Sequence, residues 1–118
     1  MPSSASAATF FQTPSGNIGC AISGSFVRCD VLRNDATPPK RPASCEFDWG
    51  NAFGVSAKGR GKRLCVSDTV FDPGARTLAY GRSIKRKGIR CTSRESGLKC
   101  KNRRGHGFTL SRDRQRVF

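Results

Sequence analysis

The sequence is short of the residues from which most active sites are built. It has one histidine, one tryptophan, one tyrosine and one methionine in 118 residues. No two cysteines stand in a CxxC spacing, whereas structural zinc sites need ligands about two to four residues apart. No metal or cofactor is therefore expected. No GxSxG occurs, which excludes the nucleophile turn of the α/β-hydrolases. The Gly59/Gly61 segment alternates glycine with base but lacks the full phosphate-loop pattern, and it reads as a flexible basic loop. No run approaches the ~20 apolar residues of a transmembrane helix. Acids are scarce as well, eight against 22 Lys and Arg, for a formal charge of +14. With 36% hydrophobic residues the core must be thin, although eight Phe and six Cys remain to be buried.

The six cysteines are Cys20, Cys29, Cys45, Cys65, Cys91 and Cys100. An even count without metal spacing points to disulfides, and so to an exported protein in an oxidising compartment. Ser3 to Ala8 are small and polar, as residues after a cleaved signal peptide are, and Met1-Pro2 reads as an initiator added ahead of them. Residues 1–9 are expected to be a disordered leader remnant and 10–118 a single disulfide-stapled β domain.

A repeat organises that domain. Ile18, Cys20, Val27, Arg28 and Cys29 recur 71 residues later as Ile89, Cys91, Leu98, Lys99 and Cys100. Each copy reads as a β-hairpin closed by a cross-strand disulfide, because directly opposed Cα atoms of an antiparallel pair lie within disulfide range. Pairing Cys20 with Cys29 leaves Gly24-Ser25 as a two-residue loop with glycine where a type II′ turn needs it. Pairing Cys91 with Cys100 allows a three-residue loop in which Gly97 supplies a left-handed residue. Cys45–Cys65 is then the third bridge. Further strands are expected at 63–66, 77–80 and 107–111, a surface loop at 35–42, and one short helix in the last seven residues. Turn signals every 8 to 12 residues give the fold class: all-β, a small antiparallel sandwich or barrel with two disulfide-closed hairpins and little helix. Basic side chains can occupy its outward face while Ile84, Ile89, Leu98 and Phe108 point inward.

The charge is confined to one half. Residues 1–57 carry four basic and four acidic residues; 58–118 carry eighteen and four, and hold all of the net charge. The candidate anion-binding residues are Lys58, Arg60, Lys62, Arg63, Arg82, Lys85, Arg86, Lys87, Arg90, Lys99, Lys101, Arg103 and Arg104. Such a field attracts nucleic acid, anionic lipid or the phosphate-rich polymers of a cell wall. Aromatic interleaving for base stacking is sparse, with Phe71, Tyr80, Phe108 and Phe118 the only aromatics in the basic half.

His106, between Gly105 and Gly107, is the one candidate for acid–base chemistry, and it needs Glu46, Asp68 or Glu95 as a second group. Nothing in the spacing brings them together, and a turn histidine is the simpler reading. Trp49 is expected as a core residue beside a disulfide rather than a ligand platform.

The blocks Thr13-Pro14-Ser15-Gly16-Asn17-Ile18 to Cys20, Arg28-Cys29-Asp30, Asp48-Trp49-Gly50, Cys65-Val66-Ser67-Asp68-Thr69, Tyr80-Gly81, Cys100-x-Asn102 and Gly105-His106-Gly107-Phe108 to Arg112 occur in order. With these the chain resembles a family of exported actinobacterial proteins of unknown function. The resemblance implies export behind a signal peptide or lipid anchor. It marks Trp49, Asp68-Thr69, Tyr80-Gly81 and His106 as family features, and it implies no activity. Three functions are open: a secreted, monomeric, non-enzymatic module binding an anionic macromolecule (nucleic acid, cell-wall polymer, anionic lipid or acidic protein); a secreted toxin or small nuclease using His106; and an inhibitor of an acidic extracellular enzyme, inserting a hairpin loop such as 23–26 or 93–97.

Overall fold

In the computed structural model, which describes residues 8–118, both repeated hairpins are present. β2 (Ile18–Ser23) turns into β3 (Phe26–Val31), with Cys20 opposite Cys29. β8 (Ile89–Arg94) turns into β9 (Gly97–Asn102), with Cys91 opposite Cys100. The bridges Cys20–Cys29, Cys45–Cys65 and Cys91–Cys100 all form, with Cα–Cα distances of 4.1, 5.8 and 4.0 Å. Gly24 takes a φ of 59° and Ser25 stays at negative φ, as a type II′ turn requires. The second loop has two residues, not three. Pairing runs without slip to Arg94 opposite Gly97, so only Glu95 and Ser96 are left in the turn.

The repeat reaches beyond the hairpins. β1 (Thr9–Gln12) precedes the first, and β4 (Trp49–Ser56) and β5 (Lys62–Cys65) follow it. β7 (Ser83–Arg86) precedes the second, and β10 (Gly107–Leu110) and β11 (Gln115–Val117) follow it. One sheet runs β5-β4-β3-β2-β1, with β6 (Arg76–Thr77) added at its edge; the other runs β11-β10-β9-β8-β7. Each half is therefore a five-stranded antiparallel meander. A row Phe11–Cys20–Cys29–Phe53 crosses the first sheet, and a row Ile84–Cys91–Cys100–Phe108 crosses the second.

The inward faces of the two meanders form one core. Phe53 and Phe108, which hold equivalent places, meet across it with ring centroids 6.2 Å apart. The four hairpin cysteines are at most 1% exposed and belong to this core. They are packing groups as well as crosslinks, which offsets the shortage of large apolar residues. In the chain-entropy model each hairpin bridge adds about 2.5–3 kcal/mol. Ile84, Ile89, Leu98 and Phe108 point inward as expected. Only three of the eight phenylalanines, Phe11, Phe53 and Phe108, are buried.

Several local expectations are corrected. The strand expected at 77–80 is reduced to Arg76–Thr77, because Arg82 N–H donates to the Ala79 carbonyl at 3.0 Å and closes a turn around Gly81 (φ 83°). The last seven residues hold strand β11 in place of a helix; the Ser111 and Arg114 backbones pair and send the chain back along β10. Trp49 lies opposite Cys65 but is only half-buried, its indole N–H donating to the Pro39 carbonyl at 3.0 Å. It pins the 35–42 loop rather than filling the core. Gly61 is buried against the Gly107 carbonyl, so the Gly59/Gly61 segment is a fixed contact and not a flexible loop. Residues 1–7 of the expected leader lie outside the described residues, and the first sheet starts at Thr9.

Candidate anion-binding face

Because strands alternate their faces, the residues between inward positions of β7, β8 and β9 point outward. Lys85 faces Arg90, and Arg90 faces Lys101, in one cross-strand row. Ser83, Thr92, Lys99 and Thr109 form the next row. Lys85, Arg90, Lys99 and Lys101, with Arg103 beyond β9, line a shallow groove of about 350 Å³ floored by Gly88, Thr92 and Asn102. A second depression of about 340 Å³ adjoins it through Gly88 and Arg103 and adds Lys58, Lys87 and Arg104. Eight of the thirteen expected cations thus share one face. Among the described residues none of the eight is in an ion pair; the three salt bridges present, Arg28–Asp30, Arg28–Asp68 and Arg112–Asp35, lie elsewhere.

The other five do not join it. The Arg63 guanidinium lies 5.7 Å from the Phe53 ring centroid and reaches the Gln115 carbonyl at 3.3 Å, which makes it a tie between the sheets. Arg86 folds back onto the Lys85 carbonyl at 2.8 Å. Arg82 is held by its backbone in the turn before β7. Arg60 and Lys62 are exposed around the start of β5 and line neither depression.

Three cations missing from the expected set belong to the same face, and one of them, Arg116, lies opposite Thr109 in the second row. Arg94 and Arg114 line a further depression of about 370 Å³ that shares Thr92 and Lys99 with the first. The period-two spacing of Arg90, Thr92 and Arg94 carried that signal for Arg94. At the margin, Lys99 Nζ and Arg116 Cζ stand 6.0 and 5.6 Å from the Phe118 ring centroid.

Asn102, which stands in the family blocks with no role assigned from sequence, holds the cationic corner in place. It is 3% exposed, and its side chain uses both donors and both acceptor positions. Nδ2 donates to the carbonyls of Ser56 and Gly59, each at 2.9 Å. Oδ1 accepts from the N–H groups of Arg104 at 2.9 Å and His106 at 3.1 Å. The β4–β5 loop carrying Lys58 is thereby fastened to the turn carrying Arg103 and Arg104.

Lys87 breaks a local rule at this corner. It and Gly88 form a two-residue loop with φ of 51° and 83°, a type I′ turn that favours Asn-Gly. Lysine at a left-handed position costs roughly 1 kcal/mol more than the turn needs to. Lys87→Asn is expected to raise stability by about 0.5–1 kcal/mol in urea unfolding. The same substitution should weaken polyanion binding. A variant that is less stable, or one that binds equally well, contradicts this account.

The equivalent face of the first sheet is covered by the chain itself. The segment after β5 crosses it, with the Phe71 ring over Gly19. Val70 N–H donates to Asp30 at 3.1 Å, and Arg28 reaches Asp30 and Asp68, both at 3.0 Å. Burial acts to lower the Arg28 pKa, but the hydrogen bonds and charges of Asp30 and Asp68 hold it above its ordinary value. Gly19, Asp30 and Arg28 correspond in register to Arg90, Lys101 and Lys99. One face is neutralised and sealed; its counterpart is open and cationic.

His106 is not joined by an acid. Its backbone is bound to Asn102, and it is half-buried. Glu95 is at the tip of the β8–β9 hairpin, roughly 16 Å away along β9. Asp68 is on the other sheet with Arg28, and Glu46 is exposed beside Cys45. Among the described residues no group of three or more His, Cys, Asp or Glu is placed to hold a metal ion, and no helix is long and apolar enough to cross a membrane. Of the expected family features, Asp68 anchors the covering segment, the Thr69 hydroxyl accepts the Phe71 N–H at 3.1 Å, and Gly81 N–H donates to the Ser93 carbonyl at 2.7 Å. Each of these is a folding contact.

No curated protein and no solved structure matches the chain. A family model does, over residues 1–118: the chain belongs to DUF6636, a family of unknown function.

Proposed function

We propose that this protein is a secreted, non-enzymatic module that engages an anionic macromolecule through the outer face of its second sheet. The observation that carries the reading is the contrast between the two halves. The same surface is sealed by an acid-bearing segment on one sheet and left open on the other, where eight cations gather without an acid. Like charges placed directly opposite on a sheet are destabilising. The row Lys85–Arg90–Lys101 therefore works against folding, and a bound polyanion removes that cost. Three disulfides among the described residues fit an oxidising compartment, and export would provide one.

Fluorescence anisotropy with heparin, polyphosphate and a single-stranded oligonucleotide tests the reading. Affinity is expected to fall more than ~10-fold between about 50 and 200 mM salt, as counterion release requires. The triple variant Lys85→Ala/Arg90→Ala/Lys101→Ala should reduce the slope of log affinity on log salt by about 2 to 3. Absent or salt-insensitive binding would overturn the proposal.

A further inference from the structure

The segment covering the first sheet also shows how a chain can be held there. After crossing the face it becomes β6, which pairs in parallel with the edge strand β1, Phe11 opposite Arg76 and Gln12 opposite Thr77. The Leu78 N–H extends this contact to the Gln12 carbonyl at 2.8 Å, and its side chain enters the core. Arg28 takes both the carboxylate of Asp68 at 3.0 Å and its carbonyl at 2.9 Å. The first sheet thus binds an acid-bearing segment by two means, a guanidinium–carboxylate contact on the face at Asp68 and, after the turn closed by Ala75 N–H on the Asp72 carbonyl, a short ladder at the edge.

The second sheet keeps open the cationic face and part of the matching edge, since on β7 the Lys85 carbonyl already accepts from the Arg86 guanidinium at 2.8 Å. β7 corresponds to β1, and it is the edge of its sheet, paired only with β8. An edge strand offers a row of unpaired N–H and C=O groups to an added chain. On the adjoining face, Lys99 stands where Arg28 does, Lys101 where Asp30 does, Arg90 where Gly19 does and Lys85 where Gln12 does.

We propose that the second sheet takes up, from another polypeptide, an extended acidic segment that adds as a strand along β7 and lays carboxylates onto Lys85 and Arg90. This rests on the polyanion-binding reading above and names the partner class. Three features favour a peptide over a nucleic acid. An unpaired backbone edge is matched by another backbone. Alternate residues of a strand repeat at about 6.6 Å, and the outward cations follow that repeat, Lys99 and Lys101 one step apart and Arg90 and Arg94 two. Lys85 and Arg86 on the edge repel a second copy of β7 and admit an acidic strand.

The probe is a fluorescein-labelled decapeptide of alternating Glu and Thr, in three forms: unmodified, N-methylated on the Glu amides, and N-methylated on the Thr amides. All three carry the same charge. A strand added at an edge uses the amides of one alternate set only. One methylated form is expected to bind about tenfold or more weakly than the unmodified peptide, and the other within about threefold of it. Lys85→Glu should weaken the unmodified peptide while leaving the fold unchanged by circular dichroism. Equal binding by the two methylated forms, whether retained or lost, would sink strand addition. Tighter binding of a single-stranded oligonucleotide of equal charge would replace the peptide by nucleic acid and leave the polyanion reading standing. Failure of every polyanion to bind would remove both.

Discussion

Asn102→Ala is expected to destabilise the protein by about 3 kcal/mol, measured as a shift in the urea midpoint with the disulfides intact. The side chain makes four hydrogen bonds at 2.9–3.1 Å in a site that is 3% exposed. Each such bond contributes roughly 1 kcal/mol net, and a buried group left unpaired costs about 1–3 kcal/mol, so the total depends on how far water enters the gap. Asn102→Asp separates the two halves of the network. It keeps acceptors for Arg104 and His106 but turns carboxylate oxygen toward the carbonyls of Ser56 and Gly59. It should be at least as destabilising as alanine. Both variants should also lower the salt slope of polyanion binding by about 1, because Lys58 loses its fixed place at the corner. A midpoint close to that of the unaltered protein would show that the corner is held by something else.

Gly61→Ala is expected to cost roughly 3 kcal/mol or more, since overpacking a fixed contact typically costs 1–3 kcal/mol and here the neighbour is backbone. A Cβ on Gly61 would fall on the Gly107 carbonyl oxygen. That carbonyl cannot move aside easily: it accepts the Phe118 N–H at 2.9 Å, and the Phe118 carbonyl accepts from both Gly61 at 2.9 Å and Gly107 at 2.8 Å. Gly59→Ala is the comparison. Its Cβ meets the Ser56 hydroxyl at 2.9 Å, the end of a side chain that can rotate at the cost of the hydrogen bond it accepts from Gly59 N–H at 3.0 Å. Loss of stability confined to Gly61→Ala supports a rigid junction between β5 and the β10–β11 end of the second sheet. Equal effects at the two glycines would refute it.

The hairpins and their bridges were legible because they are local. Cross-strand cysteines nine residues apart, with an aliphatic residue two before the first of each pair, constrain the register of the strands around them. The identical strand order of the two halves was not legible. Seventeen residues connect β3 to β4 and four connect β9 to β10, so the 71-residue offset stops at the hairpin and Phe53 is not seen to match Phe108. Arg63 illustrates the limit for the site. In sequence it is one more cation in a basic run; in the fold it is spent on the Phe53 ring and the Gln115 carbonyl. Asn102 stood in the family blocks without a role, because its four partners come from residues 2 to 46 positions away.

By itself the sequence determined the fold class, the three disulfide pairings and the confinement of charge to one half. Those follow from composition, from two-residue periodicity and from short-range closure. Only the tertiary structure decided which cations share a face. That depends on which strands become neighbours and on where a covering segment lies. Phe71 on Gly19 and Asp68 on Arg28 seal one sheet, and no residue of the described chain does the same for Arg90 and Lys99 on the other.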